Sequence, residues 1–374
     1  MSTVTIDFQN TKVGGYTLKG KASLDLGNIV IEPVEQEDDF GYMHGINTNV
    51  GVVSSATTVA KKHKFISDNS FEIVRVPVYW EFYESDMAGQ RAKLKATADA
   101  ADAAGLHVIY DFHQVKVSSV FGGTGFPPNI VRAFTSKTGD EGQIEFMRKY
   151  WANTKYNGRA IWDLHAEFMI NAMAEFRSRP STFGYEIFNE AAVTQDSEHE
   201  RMKLMQEHIG NMLVDVDPDA WIVATHPFTK GVSDAVKSSW GGFWGVARTI
   251  RTIPVINNGK VIYGPHTYWD VGTSGVAQAP KFEFDKIKQI QIQSGAKVMI
   301  GEWGVRGATS DQAAMKRIID RAILEDWPLL LWIFDSKADA NNSCFTINYD
   351  INTKRFYWNA LLGAMGVSQV GSPK

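Results

Sequence analysis

From residue 42 onward the chain alternates between two hydrophobic patterns. Short apolar runs of strand character are separated by stretches whose apolar residues recur three and four apart, as on one face of a helix. The strand-like runs are Tyr42–Asn47, Glu72–Val78, Leu106–Asp111, Thr182–Phe188, Trp221–Ala224, Val261–Gly264, Lys297–Ile300 and Leu329–Ile333. A helix is predicted through Thr57, Val59, Ala60, Phe65 and Ile66, and another along Leu94, Ala98, Ala101 and Ala104. Gly105 stops the second, as a glycine after a helical stripe usually does. The stripe Ala314, Ile318, Ala322, Ile323 is opened by Ser310 and Asp311, a cap residue followed by an acidic first turn. Apolar strands separated by helices predict a parallel sheet, and eight of them are the number that closes a (β/α)8 barrel.

Two segments fall outside the alternation. Residues 1–40 read as short strands and turns, a small β-rich cap before a single catalytic domain over 41–374. Residues 114–157 form a long insertion after the third strand, carrying Phe121-Gly122-Gly123-Thr124-Gly125-Phe126-Pro127-Pro128. Insertions of this length in compact domains are usually functional, and this one is expected to shape a cleft.

Composition narrows the class without naming it. The chain has 374 residues, 44% apolar and 21% charged, enough to bury a core that needs no disulfide or metal to hold it. The lone cysteine, Cys344, excludes an intrachain disulfide. A net charge of -4 argues against a nucleic-acid partner, and no apolar run is long enough for an integral membrane segment. Met1–Asp7 does not read as a secretory leader. The expectation is therefore a secreted protein if a native signal preceded this sequence and a cytoplasmic one otherwise, acting as a monomer.

Barrel enzymes of this type build their sites where the strands end. Polar and titratable residues collect there: Asp111-Phe112-His113-Gln114, Asn189-Glu190, His266-Thr267-Tyr268-Trp269, Glu302-Trp303-Gly304 and Trp332. Arg75, within the second strand, points into the barrel if side chains alternate. A single glutamate at a strand end is most often a helix cap or a surface ion pair. Two of them, with His, Asn, Tyr and Trp at the same level, are not. Glycoside hydrolysis needs such a pair, one to protonate the leaving oxygen and one to attack or activate water. A nearby guanidinium would keep one ionised while a drier site kept the other protonated.

Together these residues resemble glycoside hydrolase family 5, the cellulase and mannanase family of retaining barrel glycosidases. The resemblance runs from about residue 41 to 365 and rests on Arg75-Val76-Pro77-Val78-Tyr79-Trp80, Asp111-Phe112-His113-Gln114, Phe188-Asn189-Glu190, His266-Thr267-Tyr268, Ile300-Gly301-Glu302-Trp303-Gly304 and Trp332. It implies that Glu190 is general acid/base and Glu302 nucleophile, and that Asn189 binds the sugar 2-hydroxyl. It also implies that Arg75 and Tyr268 support Glu302, that His113 and His266 line the subsite, and that Trp332 is its floor. The substrate implied is a β-linked polysaccharide or oligosaccharide, with an endo-acting β-1,4-glucanase expected on base rate. A β-mannanase, a glycolipid-cleaving (endoglycoceramidase-like) member, a transglycosylase and a non-catalytic carbohydrate-binding barrel are the alternatives.

Other readings change the picture less. Trp80, Trp151, Trp162, Trp269, Trp303 and Phe121 are candidates for sugar stacking, with core packing at least as good an account of each. His107 and His165 belong to no motif and read as structural. No metal and no cofactor is expected. His44 stands alone where metal-dependent barrel hydrolases carry a His-x-His pair, no Cys/His ligand cluster exists, and neither a phosphate loop nor a dinucleotide fingerprint is present.

Overall fold

The computed structural model describes residues 4–13, 16–25, 28–31, 40–49, 55–231, 245–270, 279–306, 312–335, 347–348, 361–368 and 370. The chain divides into two units, Met1–Gly41 and Tyr42–Lys374. In the first, β1 (Val4–Val13), β2 (Tyr16–Asp25) and β3 (Asn28–Ile31) form an antiparallel sheet in that order.

The second unit is a (β/α)8 barrel. Five strands pair in parallel and in sequence: β4 (His44–Thr48), β5 (Ile73–Val78), β6 (His107–Phe112), β7 (Thr182–Glu186) and β8 (Trp221–Thr225). The sixth strand comes in two pieces, β9 (Val261–Gly264) and β10 (His266–Asp270), on either side of Pro265, which has no N–H to continue the ladder. The seventh is likewise split at Met299 into β11 (Lys297–Val298) and β12 (Ile300–Arg306). Across the interruption Met299 N donates to Tyr263 O and Gly301 N to Pro265 O. Then β8 pairs with β9, β9 with β11 and β10 with β12, and β12 pairs with β13 (Leu329–Asp335), which returns to β4. The ring closes.

Each of the eight predicted runs overlaps a barrel strand, with two differences that matter for the site. The seventh strand continues beyond Ile300 to Arg306, so Glu302 lies within it. The fourth ends at Glu186 instead of Phe188, so Asn189 and Glu190 stand on the loop beyond it.

The helices begin and end for local reasons. Helix α1 (Ala56–Asp68) starts at Ser55, whose side chain accepts from Thr58 N. Helix α2 (Met87–Ala104) starts at Asp86, which accepts from Gly89 N at 3.0 Å, and stops at Gly105, whose φ of +66° suits glycine. Ser310 and Asp311, the expected cap of the 314–323 stripe, lie outside the described residues; the helix there spans Gln312–Glu325. Among the described residues no helix is long and apolar enough to cross a membrane.

The 114–157 insertion is mostly structured. It contains α3 (Pro128–Phe134) and α4 (Gly139–Trp151) and leads into α5 (Ile161–Met173). Its aromatic residues Phe126, Phe134, Phe146, Tyr150 and Trp151 are buried. Three of them, with His165 on α5, pack against Phe188, whose ring lies 5.6 Å from Phe126, 5.4 Å from Tyr150 and 6.1 Å from Trp151. Packing at the insertion thus fixes the residue immediately before Asn189 and Glu190.

Candidate active site

Strand register sets the floor of the site. Asn47 on β4 lies beside Arg75 on β5, Asp111 on β6 lies beside Glu186 on β7, and His266 on β10 lies beside Glu302 on β12. All six side chains are buried.

Arg75 organises them. Its Nε donates to Glu186 Oε2 at 2.6 Å, and Nη1 donates to Asn47 Oδ1 and Glu302 Oε1, both at 2.9 Å. Nη2 donates to Asn189 Oδ1 at 2.9 Å and faces Asp111 Oδ2 at 3.0 Å. A guanidinium has five N–H donors in one plane, and each has a partner here. Burial alone would lower the Arg75 pKa, but Asp111, Glu186 and Glu302 outweigh it and hold the guanidinium firmly charged. Asn47 in turn donates from Nδ2 to the carbonyls of Gly301, Leu330 and Leu331.

One cation does not balance every acid around it, and burial shifts the remaining groups toward their uncharged forms. Burial pushes Asp111 up to about 7, with Arg75 opposing and Glu190 adding to the rise. Burial likewise raises Glu186 against the pull of Arg75. The histidines move the other way. His113 is pushed down to about 4 by burial and by Arg75, and His266 is lowered chiefly by burial.

Above this floor lies the mouth of the barrel. Asp111 Oδ2 and His113 Nδ1 share a hydrogen bond of 2.5 Å, and the His113 ring lies parallel to Trp332, centroids 5.3 Å apart at 9°. Tyr79 meets the His113 ring edge-on at 5.5 Å. Trp332 is half-buried. Glu190 is the exposed member, its side chain 40% open to solvent, yet the protein crowding its other sides raises its pKa against His113 and Arg75. Its φ of +47° is unusual for a residue other than glycine. Gln114 holds that turn, donating from Nε2 to Asn189 O at 2.8 Å and Glu190 O at 3.2 Å.

His266 joins the two glutamates. Its Nδ1 lies 3.4 Å from Glu190 Oε1 and 3.5 Å from Glu302 Oε2. One oxygen of each glutamate and one ring nitrogen lie within 4.8 Å of one another, a spacing that would also admit a cation. The surroundings favour proton handling instead, because Arg75 already faces Glu302 and burial favours the neutral form of Glu190.

Arg75, His113, Asn189, Glu190, His266, Glu302 and Trp332 therefore converge. Tyr268 and Trp269 lie on β10, opposite Gly304 and Val305, but their side chains are outside the described residues. The stacking candidates need correction. Trp80 is 3% exposed and packs face to face on Phe168, Trp151 is 1% exposed with Nε1 on Ala192 O, and Trp303 is 2% exposed. Trp162 is buried too, with Nε1 on Tyr150 O. All four belong to the core and present no face to a sugar. His165, read as structural, accepts or donates through Nδ1 to Tyr150 OH within that core.

The sequence reading missed two members of the floor, Glu186 and Asn47. Their only signal was a polar residue at a strand position that alternation turns inward.

A family model described as Cellulase (glycosyl hydrolase family 5) matches residues 35–339. No curated protein matches the chain. Among solved structures it resembles endo-glycoceramidase II from Rhodococcus sp., with a TM-score of 0.62 at 13% identity over 86% of this chain and 78% of that one. It also resembles an endoglucanase from Pseudomonas stutzeri in complex with cellobiose, with a TM-score of 0.55 at 19% identity over 90% and 97%. An endo-beta-1,4-mannanase from Thermotoga petrophila gives 0.56 at 13% over 90% and 79%. Identities this low carry the barrel fold and nothing finer.

Proposed function

The chain belongs to glycosyl hydrolase family 5, and from that premise we propose that it is a retaining, endo-acting β-1,4-glucan hydrolase with Glu190 as general acid/base and Glu302 as nucleophile. The observation that carries this reading is the separation of the pair, with oxygens of Glu190 and Glu302 within 4.8 Å. Retaining glycosidases hold their carboxyl groups about 5 Å apart, whereas inverting ones need more than about 6.5 Å to admit a water.

In the first step the Glu190 proton passes to the glycosidic oxygen while Glu302 attacks the anomeric carbon. The C–O bond to the leaving chain breaks, and a glycosyl ester forms on Glu302. Glu190, now a carboxylate, takes a proton from water, which attacks the same carbon and releases Glu302. The raised Glu190 pKa favours its acid role. The guanidinium against Glu302 favours the nucleophile role. Asn189, oriented by Arg75 Nη2 and donating from Nδ2 to Gln114 O, is available to the sugar 2-hydroxyl, and Trp332 offers its ring beneath the sugar. The choice of glucan follows the cellulase family model, with mannans and glycolipids as the alternatives to be tested.

The test is hydrolysis of soluble β-glucans, β-mannans and glycosphingolipids by wild type, Glu190→Ala and Glu302→Ala, with added azide and NMR of the product anomers. We expect glucan cleavage with retention, a β-glycosyl azide from Glu190→Ala and an α-azide from Glu302→Ala. Full activity in both variants removes the catalytic assignment. Cleavage of mannan or glycolipid alone moves only the substrate.

A further inference from the structure

Glu186 is a buried acid of the floor that the mechanism leaves unused. Glu186 is fully buried, and only its Oε2 is engaged, by Arg75 Nε. Its Oε1 makes no hydrogen bond, and neither does Nε2 of the buried His266. These two orphaned atoms face each other at 4.0 Å. A buried polar atom without a partner is destabilising, so two side by side call for a shared solution.

The other side of the imidazole supplies it. His266 Nδ1 faces one oxygen of Glu190 and one of Glu302. A neutral imidazole carries a single N–H, and between two carboxyl groups that hydrogen belongs on Nδ1. Nε2 is then a bare acceptor that needs a donor. We propose that Glu186 is a positioning residue that carries a proton on Oε1, directs it to His266 Nε2, and so fixes His266 as the Nδ1–H tautomer that donates to the catalytic pair. The inference rests on the proposed roles of Glu190 and Glu302.

The rest of the neighbourhood agrees. Glu186 is faced by Arg75 from β5, Asp111 from β6 and His266 from β10; burial favours its neutral form and Asp111 adds to this, against Arg75 and His266. His266 is faced by Glu302, Arg75, Glu186, His113 and Glu190, and burial disfavours its charged form. The alternative, an imidazolium against an ionised Glu186, would put two more charges into a dry barrel. The ring also has little freedom to turn away. A Cβ on Gly301 would lie 3.2 Å from Nε2 and 3.3 Å from Cδ2, tighter than ordinary contact, so the strand runs close beneath the imidazole. The 4.0 Å separation exceeds a formed hydrogen bond, and catalytic hydrogen bonds commonly tighten only when substrate is bound.

The experiment compares wild type, Glu186→Leu and Glu186→Gln. Leucine removes the donor, whereas a glutamine amide donates to Nε2 and its carbonyl still accepts from Arg75 Nε. We expect Glu186→Leu to lose roughly 30-fold or more in kcat with KM within about 3-fold, and Glu186→Gln to recover most of the loss. The second readout needs no turnover: NMR of protein carrying 15N-labelled histidine, with His266 assigned by comparison with His266→Gln. Wild type and Glu186→Gln should carry the hydrogen on Nδ1, and Glu186→Leu should lose that preference. The proposal is overturned if wild-type His266 carries its hydrogen on Nε2 or is doubly protonated. It is equally overturned if a folded Glu186→Gln is as slow as Glu186→Leu. Failure of the catalytic reading is seen separately, in activity retained by Glu190→Ala and Glu302→Ala.

Discussion

Arg75 and Glu302 form a buried ion pair, Nη1 to Oε1 at 2.9 Å, with side chains only 1% and 5% exposed. The pair is one spoke of a planar hub that also reaches Asn47, Asp111, Glu186 and Asn189. A lysine keeps the charge but offers a point donor in place of a fork. Arg75→Lys is therefore expected to lower kcat by about 10²-fold or more, because Asn189 and Glu302 lose their common reference. Steady-state kinetics on a folded variant checks this; a loss confined to KM would contradict it.

Asp111 offers a pH test. Its folded-state pKa of about 7 lies above the ordinary 3.8, so its contribution to stability is complete below about 3.8 and is lost as pH rises through about 7. Asp111→Asn removes that slope, though it also weakens the contacts with Arg75 and His113. The melting temperature of the variant minus that of wild type should become more positive between pH 4 and pH 7. A difference independent of pH across that window would mean that Asp111 titrates elsewhere.

Two tryptophans separate core from binding surface. Trp80→Ala empties a packed aromatic cluster and should cost about 3–5 kcal/mol of stability, with KM for the folded enzyme little changed. Trp332→Ala removes a half-buried ring stacked on His113 and should lower kcat/KM by about 10-fold with a smaller loss of stability. Denaturant melts and kinetics on both variants decide; a reversed pattern would restore Trp80 as a binding residue.

Asn47 makes a prediction about stability. Asn47→Ala strands an Arg75 N–H and takes the side-chain donor away from three carbonyls, all buried. The expected cost is about 2–4 kcal/mol in urea unfolding, with an unchanged m-value. A cost within experimental error would mean that the neighbouring strands satisfy those groups without it.

Much of this could be read from the chain because a barrel strand is an apolar run and its end is where polarity returns. Glu190, His113 and Trp332 stood out on that ground. Glu186 and Asn47 did not, since one polar residue in an apolar strand gives no motif, and only closure of the ring shows what it faces. The tryptophans illustrate the opposite difficulty. Trp80 follows one strand-like run and Trp332 lies near the end of another, and nothing local says that one ring turns into the core while the other faces His113. The insertion posed a third problem. Its glycines and prolines gave no sign of how it packs, whereas Phe126, Tyr150 and Trp151 tie it to Phe188 across some forty to sixty residues of chain.

The contacts of Asn47 reach past the site itself. Its amide spans the carbonyls of the seventh and eighth strands, where the circle of strands returns to the first, while its carbonyl oxygen receives Arg75. The clasp that shuts the ring and the hinge pin of the charge cluster are thus the same side chain. A substitution that loosened the clasp would therefore disturb turnover and unfolding together, although the residue is neither acid nor nucleophile.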